Sequence, residues 1–120
     1  MRRKIQKPLH EVFNDGFLNY GKDTTNRVNG KRVGEAFNVK GKLAYRLMSA
    51  RDEDHQMAGS MGARLDLKVK TRYPPSFRSV TKSDLKCVID KVKYDVIQVD
   101  YDSKKRYLYF NLQEVGVLDE

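Results

Sequence analysis

The chain predicts an all-β fold, a small closed or partly open β-barrel of about six to seven mainly antiparallel strands with one short α-helix. Three observations carry this. The stretch Leu85–Val115 divides into segments rich in Val, Ile, Tyr and Leu, namely Leu85–Asp90, Val92–Tyr101 and Arg106–Val115. Charged turn residues separate them, as in an antiparallel meander. In the last segment Leu108, Phe110 and Leu112 alternate with Tyr107, Tyr109 and Asn111, the period-two pattern of a strand with one dry side. Arg64–Thr71 alternates as cleanly, with Leu65, Leu67 and Val69 inward against Arg64, Asp66, Lys68 and Lys70 outward. A chain of 120 residues with so many strands buries its apolar faces most economically by closing the sheet on itself. A single domain over residues 1–120 is therefore expected.

Taken in order, residues 1–10 form a basic arm bearing Arg2, Arg3, Lys4 and Lys7, an untethered terminus by default. Val12, Phe13, Phe17, Leu18 and Tyr20 then make an apolar segment broken by Asn14-Asp15-Gly16, which reads as a short hairpin or a bulged first strand. Residues 21–34 mix polar residues with Lys22, Arg27, Lys31 and Arg32 and have no apolar face. A long, exposed, mobile loop is expected there. From Glu35 to Leu47 the apolar positions step by two except where Gly41 intrudes, a strand with a bulge or bend at that glycine.

Ser49 can N-cap a short helix over about residues 50–58, with Asp52, Glu53 and Asp54 in the first turns and Gly59 or Gly62 ending it. The strand Arg64–Thr71 stops at Tyr73-Pro74-Pro75-Ser76, where the prolines favour an extended, non-helical crossing. Phe77 and Val80 can pin that crossing to the core. In the meander, Asp102–Lys105 is a polar loop of hairpin length. Asp90-Lys91 is a turn of unassigned type, since lysine resists the positive φ of a tight hairpin. The middle strand has apolar residues on both faces, Ile97 and Val99 against Tyr94 and Val96, which suits cover on both sides by a closing barrel or by a neighbouring subunit.

The net charge of +8 is uneven: residues 1–82 hold 18 Lys and Arg against 8 Asp and Glu, and residues 83–120 hold 6 against 8. A basic first part is compatible with polyanion contact, although Lys and Arg scattered on solvated strand faces are the commoner explanation of such charge. The one cysteine, Cys87, lies in step with Leu85 and Ile89 and reads as a small buried apolar residue in a chain suited to a reducing compartment. The basic start Met1–Lys4 lacks the apolar core of a signal peptide, and no apolar run is long enough to span a membrane.

Catalytic chemistry has little to work with. Gly16–Asp23 matches the glycine and lysine spacing of a phosphate loop, but Asp23 stands where a Ser or Thr should meet magnesium and no helix follows. Asp52-Glu53-Asp54-His55 splays around a helix, so no more than half of the four could face one ion. His10 sits in the N-terminal arm, apart from any paired group. No catalytic, cofactor or metal residues are assigned, and an enzyme is not expected. Tyr107 and Tyr109 beside Lys104, Lys105 and Arg106 could stack bases on an open sheet face. The plainer reading packs those rings against a helix, a loop or another subunit.

Leu43–Ser49, the acidic helix Arg51–Ala58, the strand ending Lys70-Thr71-Arg72-Tyr73, Tyr94–Ile97 and Tyr107–Phe110 together resemble the head-tail joining family of long-tailed bacteriophages. These proteins are also called head-closure, stopper, connector or adaptor proteins. The pattern spans roughly residues 35–115. The resemblance implies a virion neck protein, assembled in the host cytoplasm, that multiplies itself into a ring, commonly a dodecamer. Such a ring sits beneath portal and adaptor proteins, presents a docking surface to the tail terminator or tail tube, and helps retain double-stranded DNA. It brings no catalytic or cofactor residues and no membrane.

On that reading Lys22, Arg27, Lys31 and Arg32 would either hold channel DNA nonspecifically or fold on a docked partner. Asp52, Glu53 and Asp54 could meet Arg64, Lys68 and Lys70 across a subunit boundary, or pair within one subunit. The alternatives are a basic nucleic-acid-binding β-barrel module, and another connector component such as an adaptor or tail terminator.

Overall fold

The structure, a computed structural model, describes residues 12–28 and 30–117, with the side chains of 25–28 and 31–35 outside that description. Six strands close into a barrel: β1 (Gly16–Val28), β2 (Lys31–Met48), β3 (Leu67–Arg72), β4 (Lys86–Ile89), β5 (Val92–Tyr101) and β6 (Tyr107–Val117). Their order around the wall is β1-β2-β3-β6-β5-β4, every pairing antiparallel, with Asn19–Gly21 of β1 closing the ring against Lys86–Val88 of β4. Closure leaves no free edge around the wall.

The alternation seen in the sequence sets which residues point inward. Leu18, Tyr20, Tyr45, Val69, Cys87, Ile89, Val99, Leu108, Phe110 and Leu112 fill the interior. Burial pushes the Cys87 thiol well above its ordinary range. In β5 the register shifts between Val96 and Gln98, so Ile97 is an extra residue opposite β6. That bulge switches the strand's parity, and Tyr94, Val96 and Val99 all reach the core. The mixed faces of this strand therefore have a local cause.

One mouth of the barrel is plugged by the segment after β3. The prolines, expected to give an extended crossing, instead lead into a 3₁₀ turn over Pro75–Ser79. Pro75 stands at its first position, where the missing N–H is not needed. The turn drops Phe77, 1% exposed, between Tyr20, Tyr73 and Phe110, with ring centroids at 5.3, 6.0 and 6.0 Å and near-perpendicular planes.

At the other end lies helix α1 (Asp52–Ser60). Its N-cap is Arg51 rather than Ser49, and the cap works in reverse: the Asp54 carboxylate accepts the Arg51 N–H at 2.9 Å. Gly62, at φ 72°, ends it in a left-handed residue. There the Ala63 N–H donates to the Ala58 carbonyl at 2.8 Å and the Gly62 N–H to the Gly59 carbonyl at 3.0 Å.

The largest departure from expectation is at residues 21–34, read above as a long loop. The backbone there is paired strand: β1 and β2 pair from Gly21↔Val39 to Val28↔Lys31, with a register shift between Asn26 and Arg27 that leaves Val33 as an extra residue. Past Gly21, β1 pairs with β2 alone. The result is a two-stranded β-arm extending roughly 25 Å past the wall at the usual rise per residue. Ladder hydrogen bonds, which need no apolar side chains, hold this segment. Asn29-Gly30 sits at its tip in sequence, and Gly30 has φ 78°.

Candidate functional site

The arm leaves the barrel at a register shift. Tyr20 faces Gly41 and Gly21 faces Val39, so Lys40 is an unpaired bulge residue. Two glycines permit the close crossing. A Cβ on Gly41 would collide with the Tyr20 ring, and one on Gly21 with the Asn38 carbonyl oxygen. Just beyond, Lys93 on β5 holds both Asp23 carboxylate oxygens at 2.6 Å, tying the arm to the wall with neither side chain more than 21% exposed.

Between the arm root and the 3₁₀ turn lies a recess of about 450 Å³, lined by Tyr20, Lys22, Lys40, Ser76, Ser79, Val80 and Thr81. Lys22, an expected site residue, is thus half-buried at the root. Arg27 and Arg32 are register partners near the arm tip, next to the pair Val28 and Lys31, and their side chains lie outside the described residues. Lys22 and Arg27 stand five positions apart, roughly 17 Å along the strand, so the four positions are spread along the arm rather than gathered at one place.

On the outer wall one acidic residue singled out above, Asp54, meets one of the basic ones, Lys68, within the chain. Lys68 Nζ lies 2.9 Å from Asp54 Oδ2, latching α1 onto β3. Burial works to raise the Asp54 pKa, and hydrogen bonds from the Arg51 backbone and Lys68 outweigh it and hold the carboxyl below its usual range. Arg64 pairs with Asp66 at 2.8 Å. Asp52 and Glu53 are exposed at the start of α1.

Lys70 is 7% exposed although it points outward. Its Nζ sits 4.1 Å from the Tyr107 ring centre and 5.4 Å from that of Tyr109. Phe13 stacks on Tyr107 at 6.0 Å, Arg72 lies 5.0 Å over Phe13, and Arg106 lies 5.4 Å from Tyr107. This chain of cations on rings packs against Tyr107 from within the chain, and both tyrosines remain half-buried. The part that Phe13 and Arg72 play in this cluster was not foreseen from the sequence. Their only signal was an outward cation in register with an outward tyrosine on the next strand, as Arg72 is with Tyr107. Beside this face runs a groove of about 710 Å³ between Arg46–Arg51, Lys68, Asp100, Tyr101 and Tyr109, where Leu47 and Tyr101 are 49% and 46% exposed.

No protein-family model matches the chain, and no curated protein matches it. Among solved structures, a chain described as "Virion of native gene transfer agent (GTA) particle" matches with a TM-score of 0.51 at 13% identity, covering 86% of this chain and 96% of that one. The two share a fold over nearly their whole lengths.

Proposed function

We propose that this protein is a structural component of a phage-like particle, a head-closure or head-tail connector subunit. Copies of it would form a ring between the portal-adaptor complex and the tail, retaining packaged DNA and offering the tail a docking surface. The observation that carries this reading is the fold shared with a gene transfer agent virion chain along 96% of that chain's length. Two features of the molecule fit it. A closed barrel supplies a rigid block that can repeat around an axis. The β-arm supplies a projection long enough to reach a neighbour, and its basic positions suit the loose, salt-sensitive hold on duplex phosphates that a channel needs.

The test is particle mass by light scattering, alone, with duplex DNA across a salt series, and with portal-adaptor complexes. Closed multimers, or recruitment onto those complexes, support the connector role. A strict monomer that ignores them and binds nucleic acid with a steep salt dependence overturns it in favour of a stand-alone binding barrel.

A further inference from the structure

We infer that the recess at the arm root is a binding site for phosphate groups. Its shape follows from the backbone. The bulge at Lys40 takes that residue out of the ladder and turns its side chain into the same recess as Lys22. The opposite wall is the 3₁₀ turn that Phe77 anchors in the core, which places Ser76, Ser79 and Thr81 across from the two lysines.

The electrostatics are one-sided. No carboxylate lines the recess. The nearest acid along the arm, Asp23, is held by Lys93, and neither Lys22 nor Lys40 takes part in an ion pair among the described residues. Ser79 Oγ is committed to the Ser76 carbonyl at 3.0 Å, whereas the Ser76 and Thr81 hydroxyls make no such bond among the described residues. Half-buried Lys22, exposed Lys40 and two uncommitted hydroxyls, in a lining that includes Tyr20 and Val80, make an acceptor-hungry recess that a tetrahedral oxyanion satisfies. At about 450 Å³ it has room for linked phosphates, as in pyrophosphate or a phosphodiester backbone, more than for a single ion. This inference does not need the ring: it concerns one chain and stands or falls apart from the connector reading.

The experiment is a titration of the full isotope-labelled chain by NMR at constant ionic strength, with pyrophosphate in one arm and a short DNA duplex in the other, against chloride as control. Saturable shifts confined to residues 20–22, 40–41 and 76–81 are expected. Lys22→Gln and Lys40→Gln should each weaken the response about tenfold, the usual worth of a charged hydrogen bond, and Thr81→Val should weaken it less. Saturation by both probes identifies a nucleic-acid backbone as the source of the phosphate, and saturation by pyrophosphate alone identifies a small phosphate compound. Absence of a saturable response to either probe in the unmodified chain, or a response unchanged in the Lys22→Gln, Lys40→Gln double variant, overturns the site.

Discussion

Lys91 sits at φ 67° beside Asp90 at 49°, so the two-residue link between Ile89 and Val92 has both central residues in the left-handed region. A hairpin of this kind matches strand twist but favours Asn-Gly or Asp-Gly. The sequence showed the turn while hiding its type, because lysine is a poor reporter of positive φ. Lys91→Gly should therefore stabilise the protein by about 0.5–1 kcal/mol, read as a higher urea midpoint. An unchanged or lower midpoint would mean that the lysine side chain makes up the strain elsewhere. Gly41 was legible as a bend from its interruption of an alternating run, and the Tyr20 ring packed across it gives the reason. Gly41→Ala should cost about 1–3 kcal/mol through overpacking. A loss far below that would show that Tyr20 moves aside freely. Cys87 was legible too, from its step with Leu85 and Ile89. Fully buried, with its thiol pushed away from ionisation, it should resist alkylation at neutral pH in the native state and react at once in denaturant.

Among the elements, β3 and β6 could be read from the sequence because each has a single apolar face with an uninterrupted period, and α1 from its acidic first turns and the glycines that follow it. The arm could not, because the sequence of residues 21–34 carries no apolar face to produce a pattern. Its one clear signal was Asn29-Gly30 flanked by polar residues, and hairpin chemistry there outweighed the polarity that suggested a loop. β5 was ambiguous for the opposite reason: a bulge at Ile97 shifted a real alternation by one residue. Helix α1 is an element with few buried side chains, Ala58 among them, so its attachment depends on the pair Asp54 and Lys68. The sign of its pH dependence follows from the lowered Asp54 pKa. The latch is fully present above the ordinary carboxylate range and is lost as the pH falls below that range through the depressed folded value. Protection of the amides of residues 52–60, measured against their intrinsic exchange at each pH, should fall on acidification before that of the barrel strands, and Asp54→Asn should show the low protection already at neutral pH. Equal protection of helix and barrel down to the acid transition would refute the latch.

At the scale of the molecule the chain divides into a barrel that folds on its own wall and an arm whose strands, beyond the tie between Asp23 and Lys93, pair only with each other. The core lies entirely in the barrel and its Phe77 plug. Residues outside that core should be dispensable for folding but not for assembly, if the arm is what reaches a neighbouring subunit or channel DNA. Replacing residues 25–35 by Asn-Gly joins the register partners Thr24 and Ala36 through a two-residue hairpin and keeps the recess and the Asp23 tie intact. The shortened protein should melt within a few degrees of the full chain, since exposed, locally paired segments contribute little to global stability. On the connector reading it should also fail to form the multimers, or to join the portal-adaptor complexes, proposed for the full chain. Loss of folding would show that the arm is part of the barrel's own stability. Normal folding with undiminished assembly would place the contacts between subunits on the wall, where the groove beside Leu47 and Tyr101 is the exposed apolar surface next in line.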